Sequence, residues 1–307
     1  MDECIDAYLD LSKKVFEVDR VLAGHIPVGD DCCRFDYNIL ETAIKNIIKG
    51  KLGDENCSMN AIPKTVAEVC PTFVVAQTAY DANARPTIFR TYSGAQIRAS
   101  ECGIWEAARA TSAAPTFFKP LTIQRPRPAI MYIDGGMGHN NPSEIALEEA
   151  RKLWPACTKF GLISIGTGQS KANPVLLSNS SQESQKPRFE NIKSYVPMLA
   201  EWAWNTTQNT KSGVEALIKM AGALSQLATN SEEVHQRVRR QSRFSDTARF
   251  PYFRFNVPRD VGDIGLGDWS RSVELGTHTN NYMKKDELEE LREQCVAFLL
   301  SPLSSRE

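Results

Sequence analysis

No Cys-x-x-Cys pair occurs in the 307 residues, although eight cysteines are scattered at positions 4, 32, 33, 57, 70, 102, 157 and 295. The four histidines (25, 139, 235 and 278) do not stand near cysteine pairs at ligand spacing, which argues against a zinc site. A chain of this length buries a sizeable core without disulfide staples, so reduced thiols in an intracellular compartment are expected. An excess of one charge is lacking too. The formal net charge is −1, and nothing global points to nucleic acid. No apolar run approaches the roughly 20 residues needed to span a bilayer. The opening Met1-Asp2-Glu3-Cys4-Ile5-Asp6 is acidic where a secretory signal would be basic and then apolar. These absences point to a soluble, cytoplasmic protein with no transmembrane segment.

What is present is ordinary globular composition, 42% apolar and 24% charged. Ile5, Tyr8, Leu9, Ser12, Val15 and Phe16 share one helical face, so a helix opens the chain with no strand before it. A second helix is expected from Asp36 to Lys49, ended by Gly50 or Gly53. Thr72–Gln77, Thr87–Tyr92 and Ile130–Ile133 read as strands, the first two joined by a polar turn near Asp81-Ala82-Asn83. Ile104–Thr111 is an Ala-rich helix closed off by Pro115. Asn141-Pro142-Ser143-Glu144 has the pattern of a capping box with proline at the first helical position, opening a helix to Leu153 or Trp154. Phe160–Ile165 follows as a strand, and strand, helix and strand in that order suggest a parallel βαβ unit. Residues 169–191 turn polar and read as a long loop. Helices are expected around 192–209, 212–227, 230–241 and 284–300, with a late strand at Phe253–Val257. No internal repeat or second domain is evident, so residues 1–300 read as one domain with a short tail at 301–307.

Four features could carry chemistry. Asp134-Gly135-Gly136 stands at the end of a strand, where open α/β sheets place their sites, and its glycines would let the chain turn sharply and leave the carboxylate exposed. Gly166-Thr167-Gly168 lacks the lysine of a phosphate loop and the third glycine of a dinucleotide fingerprint, and reads as a structural turn. Arg237, Arg239, Arg240 and Arg243 cluster on one expected helix, as a solvated face or a contact for anionic lipid. His139, beside Asn140 and Asn141, reads as part of the loop before the capped helix.

The stretch Trp105-Glu106-Ala107-Ala108-Arg109-Ala110-Thr111-Ser112-Ala113-Ala114-Pro115-Thr116-Phe117-Phe118, then a strand, then Asp134-Gly135-Gly136 with Asn140-Asn141-Pro142 behind it, resembles the patatin-like phospholipase family. Leu162-Ile163-Ser164-Ile165-Gly166-Thr167-Gly168 is similar to that family as well, and Phe253–Trp269 to the tail of its fungal-type members. The resemblance implies an α/β sandwich around a largely parallel sheet, incomplete at its N-terminal side. It implies a lipid ester substrate, a Ser–Asp dyad that needs no cofactor or metal, and the base role for Asp134 on its Gly135-Gly136 turn.

The departure from the family pattern is large. Neither Gly-x-Ser-x-Gly nor Gly-Gly-Gly-x-Arg-Gly occurs around any of the 18 glycines. The expectation is a lipid acyl hydrolase whose nucleophile segment is missing from this chain, and which is therefore inactive as it stands. The alternative is a non-catalytic relative that binds lipid or a partner protein. Ser93 and Ser112 are the serines to examine should an ester substrate be turned over.

Overall fold

The computed structural model describes residues 2–20, 33–61, 70–79, 85–115, 117–124, 128–157, 160–169, 231–243, 250–258, 264–265 and 267–301. They fall into two compact units, Met1–Pro142 with Pro174–Asn230, and Ser143–Asn173 with Ser231–Glu307. The expected polar loop beyond Gln169, the helices at 192–209 and 212–227 and the turn at 81–83 lie outside the described residues.

In the first unit, helix α1 runs Asp2–Phe16 and helix α2 Tyr37–Leu52. The Asp36 carboxylate accepts from the backbone N–H of Asn38, closing one orphan donor of the first turn. Gly53 ends α2 in the left-handed region at φ 81°, with its N–H bonded to the carbonyl of Lys49. Four strands make the sheet: β1 Phe73–Thr78, β2 Thr87–Arg90, β3 Leu121–Ile123 and β4 Ile130–Asp134, in the order β2-β1-β4-β3. Helix α3, Ile104–Thr111, packs on β1 and β4.

Every pairing in this sheet is antiparallel, which corrects the expectation of a largely parallel one. Apolar strands buried on both faces carry no mark of direction. The connections carry it instead. Residues 79–86 between β1 and β2, and 124–129 between β3 and β4, are too few for a parallel crossover, which takes a dozen or more. Mixed α/β architecture holds; the strand direction does not.

Two apolar clusters stabilise this unit. Ala76, Phe89, Ile123 and Tyr132 of the sheet meet Ala107 and Ala110 of α3 and the buried Cys102. The alanines let the helix approach the sheet closely, and the rings of Phe89 and Tyr132 meet edge to face at 5.2 Å. Burial pushes the Cys102 thiol up to about 12. In the second cluster Val15, Phe35, Leu40 and Phe118 join α1 to α2, with Phe16 and Phe35 edge to face at 4.9 Å. Ile5, Tyr8 and Leu9, on the same stripe of α1, stay exposed.

Arg109 is buried beside the second cluster. It donates to the carbonyl of Lys119 at 2.6 Å and lies over the rings of Tyr37 and Phe118 at 5.6 and 5.7 Å, while Nε and Nη1 have no hydrogen-bond partner. Desolvation pulls its pKa down, opposed by the nearby Glu41 carboxylate. The aromatic faces add charge compensation to that of the Glu41 carboxylate.

In the second unit, β5 (Leu162–Ile165) pairs in parallel with β6 (Tyr252–Phe255). Strand β4 was expected to share a parallel βαβ unit with β5, yet the described partner of β5 is β6, a strand far along the chain. The helix expected behind Asn141-Pro142 runs Ser143–Leu153, starting one residue after the proline expected at its first position. Its Leu147 packs with Val234 and Val238 of the helix over 231–243 and with Phe250. Helices Ser272–Met283 and Asp286–Leu300 close the chain, the latter setting Phe298 against Phe253 with ring centres 6.0 Å apart.

Phe35→Ala should cost about 3–5 kcal/mol, because a fully buried ring leaves a cavity between two helices. Ile5→Ala, at a side chain 52% exposed, should stay within about 0.5 kcal/mol. Urea denaturation of both variants measures the difference.

Candidate functional site

Asp134 is the last residue of β4, paired across the ladder with Ala76 of β1. Its own N–H donates to the carbonyl of Ala113 at 3.0 Å, so the loop leaving α3 fixes the end of the strand. One carboxylate oxygen accepts from the N–H of Gly136 at 2.6 Å. Gly136 opens a single helical turn to His139, whose N–H bonds back to the carbonyl of Gly135 at 2.8 Å.

The glycines are needed for a different reason from the one the sequence suggests. Gly135 has φ −62° and ψ −25°, which any residue adopts. Close approach is what excludes a side chain: a Cβ on Gly135 would lie 2.1 Å from the carbonyl oxygen of Val75 in β1. On Gly136 it would lie 3.0 Å from the Asp134 carboxylate. The turn is pressed against the neighbouring strand.

A cavity of about 310 Å³ opens there. Phe73, Val74 and Val75 form its apolar side; Asp134, Gly135, Gly136 and Thr111 form the rim; His139, Asn140 and Pro142 continue it. The Thr111 hydroxyl donates to the carbonyl of Val75 at 2.5 Å, so the last residue of α3 is tied to the same strand. Desolvation raises the Asp134 carboxyl to about 6, only partly opposed by the Gly136 N–H. A carboxyl poised near neutrality in a cleft is the expected signature of a proton acceptor.

Sequence reasoning picked out Asp134 and its glycines, set His139 aside, and named Thr111 and Asn140 only within the family motif, without a role. The signal for Thr111 was its place at the end of a motif-bearing helix. Both candidate serines lie elsewhere: Ser93 accepts from the N–H of Ala99 in its own loop, and Ser112 caps the end of α3. No serine or cysteine is among the described residues that line the cavity. Gly166-Thr167-Gly168 is a structural turn, as expected. The N–H groups of Gly166 and Gln169 bond to the carbonyls of Phe255 and Val257, and that of Gly168 to the Asn256 side chain. No group of three or more metal-ligating side chains occurs among the described residues.

Residues 2–147 match the profile of the Patatin-like phospholipase family. That segment belongs to the patatin-like phospholipase family. It is similar to calcium-independent phospholipase A2-gamma of Mus musculus, 28% identical over 200 residues, which cover 63% of this chain and 24% of that protein. Patatin-like phospholipase 1 of Plasmodium falciparum is 30% identical over 177 residues, covering 53% of this chain and 21% of that protein. Patatin-like protein 2 of Arabidopsis thaliana is 29% identical over 190 residues, covering 55% and 43%. This patatin-like chain thus spans about a quarter of the length of its mammalian relative. The matched segment contains α3, β4 and every residue lining the cavity, whereas β5 and β6 lie beyond it.

Gly135→Ala should lower stability by about 1–3 kcal/mol, since the added methyl meets strand backbone that cannot give way. Gly138→Ala, with nothing within 4 Å, should not. A carboxyl raised in the folded state favours folding below its unfolded pKa and loses that contribution as pH rises through the folded value. Asp134→Asn should therefore flatten the stability profile between about pH 4 and 6 and be the relatively more stable protein at pH 7.5. Denaturation midpoints across that range test both statements.

Proposed function

We propose that Asp134 is the catalytic base of a Ser–Asp lipid acyl hydrolase site, with the turn Gly135-Gly136 fixing it. The observation that carries this reading is a half-buried carboxylate raised to about 6 at the mouth of an apolar-sided cavity, in a segment of the patatin-like phospholipase family. Its task is to take the proton of a serine hydroxyl and return it to the leaving alkoxide. The substrate class is a lipid ester, met at a membrane surface by transient peripheral contact, and the chemistry needs no metal.

The nucleophile is the open half. The 307 residues contain no Gly-x-Ser-x-Gly, and the described cavity wall offers one hydroxyl, Thr111, already donated to Val75. By itself this chain is inactive on esters. In serine hydrolases loss of the nucleophile alone removes on the order of 10⁶ in turnover. The same observation favours a second reading, a non-catalytic relative whose cavity binds a lipid or a peptide without cleaving it.

Purified protein assayed on p-nitrophenyl butyrate and a fluorogenic phospholipid should turn over neither. Turnover within about tenfold of a serine-bearing relative would overturn this, and Ser93 and Ser112 would then be substituted first. Joined to a relative's Gly-x-Ser-x-Gly segment, the chain should gain activity that falls as pH drops through about 6 and that Asp134→Asn lowers more than tenfold. A joined protein that folds, with its cavity filled by lipid but no hydrolysis, establishes the non-catalytic reading instead.

A further inference from the structure

We propose that the outward face of the helix over 231–243 docks on an anionic lipid bilayer through Arg239, Arg240 and Arg243. The inference rests on the lipid-ester reading, which brings the chain to a lipid surface. What it adds is the surface by which the chain arrives.

The helix has two distinct sides. Val234, Val238 and Ser242 are buried, the two valines packing with Leu147 and Phe250. At 100° per residue the opposite side centres on Gln236, Arg240 and Arg243, with Glu232 and Glu233 beside them and Arg239 toward the flank away from Arg237, all exposed. Arg237, on the flank, is bidentate to Glu144, both N···O distances being 2.8 Å, and this pair sets the helix's rotation in its own unit. The outward side is therefore held outward.

Charge along that side is sorted. Glu232 and Glu233 occupy the first turn and the arginines the last two. The macrodipole accounts for a cation in the final turn. It does not account for three guanidinium groups on one exposed side with no carboxylate within ion-pair distance among the described residues. Arg240 only reaches back to the carbonyl of Gln236 at 3.3 Å. Exposed like charges on one short helix repel each other in solution, and a negatively charged plane relieves all three at once. With a net charge of −1 over the whole chain, the attraction is local to this helix. Basic clusters of this size on an amphipathic helix bind acidic lipid headgroups. Each arginine contributes about fivefold in binding at moderate salt.

The test is sedimentation of the full chain with vesicles of phosphatidylcholine, with and without phosphatidylserine, over a range of salt. The chain should bind the serine-containing vesicles and release as salt rises. The triple substitution Arg239→Gln, Arg240→Gln and Arg243→Gln should weaken that binding by more than about tenfold with an unchanged thermal melt. Lysine at the same three positions should restore it to within about threefold, because charge rather than a bidentate contact is at work. Equal binding to both vesicle types, native binding by the folded glutamine variant, or loss of binding in a folded lysine variant would overturn the proposal. So would tighter retention on single-stranded RNA than on vesicles at the same salt, which would make the partner a nucleic acid. The two readings fail separately. Vesicle binding without hydrolysis by the serine-joined protein removes the enzyme reading alone. Hydrolysis of a soluble ester without vesicle binding removes the docking surface alone.

Discussion

The carbonyl of Val75 is the point on which the candidate site turns. Thr111 donates to it from the end of α3, and the backbone of Gly135 lies so close that no side chain fits between. Ala113 meanwhile accepts from Asp134. Helix, central strand and carboxylate turn are thus fixed by contacts that leave little freedom to any of them. Asp134 owes its raised pKa to this arrangement, because a turn pressed against the sheet excludes water from one side of the carboxyl.

The family resemblance and the chemistry occupy the same stretch. The antiparallel sheet, α3 and the cavity all fall within the matched residues 2–147. The cavity's apolar side, Phe73 to Val75, suits a hydrocarbon group more than a polar one. The basic helix lies outside that stretch, in the other compact unit.

Local elements were readable because each depends on nearby residues. Ile104–Thr111 emerged at its expected bounds, and Gly53 proved to be the left-handed stop of α2. Asp134 was legible from a motif. Strand direction was not, since Phe73-Val74-Val75-Ala76 is equally apolar in either orientation and only the pairing partner decides. The reason for Gly135 was also hidden, because it lies across the sheet at Val75 rather than in the turn's own dihedral angles. His139 was judged by its sequence neighbours, and the short turn that brings it to the cavity wall is visible only in three dimensions. Likewise the stripe on α1 predicted burial of Ile5, Tyr8 and Leu9 that its described partners do not provide.

The placement of the sulfur atoms divides the chain in the eyes of an oxidant. Cys102 sits in the apolar core and holds its proton to about pH 12, so the thiolate that peroxide attacks does not form there. Cys33 and Cys295 are screened by burial as well, whereas Cys4, Cys70 and Cys157 are exposed. Oxidative damage or alkylation would accordingly mark the first helix, the approach to β1 and the segment just after the Ser143–Leu153 helix, and would leave the packing beneath α3 intact.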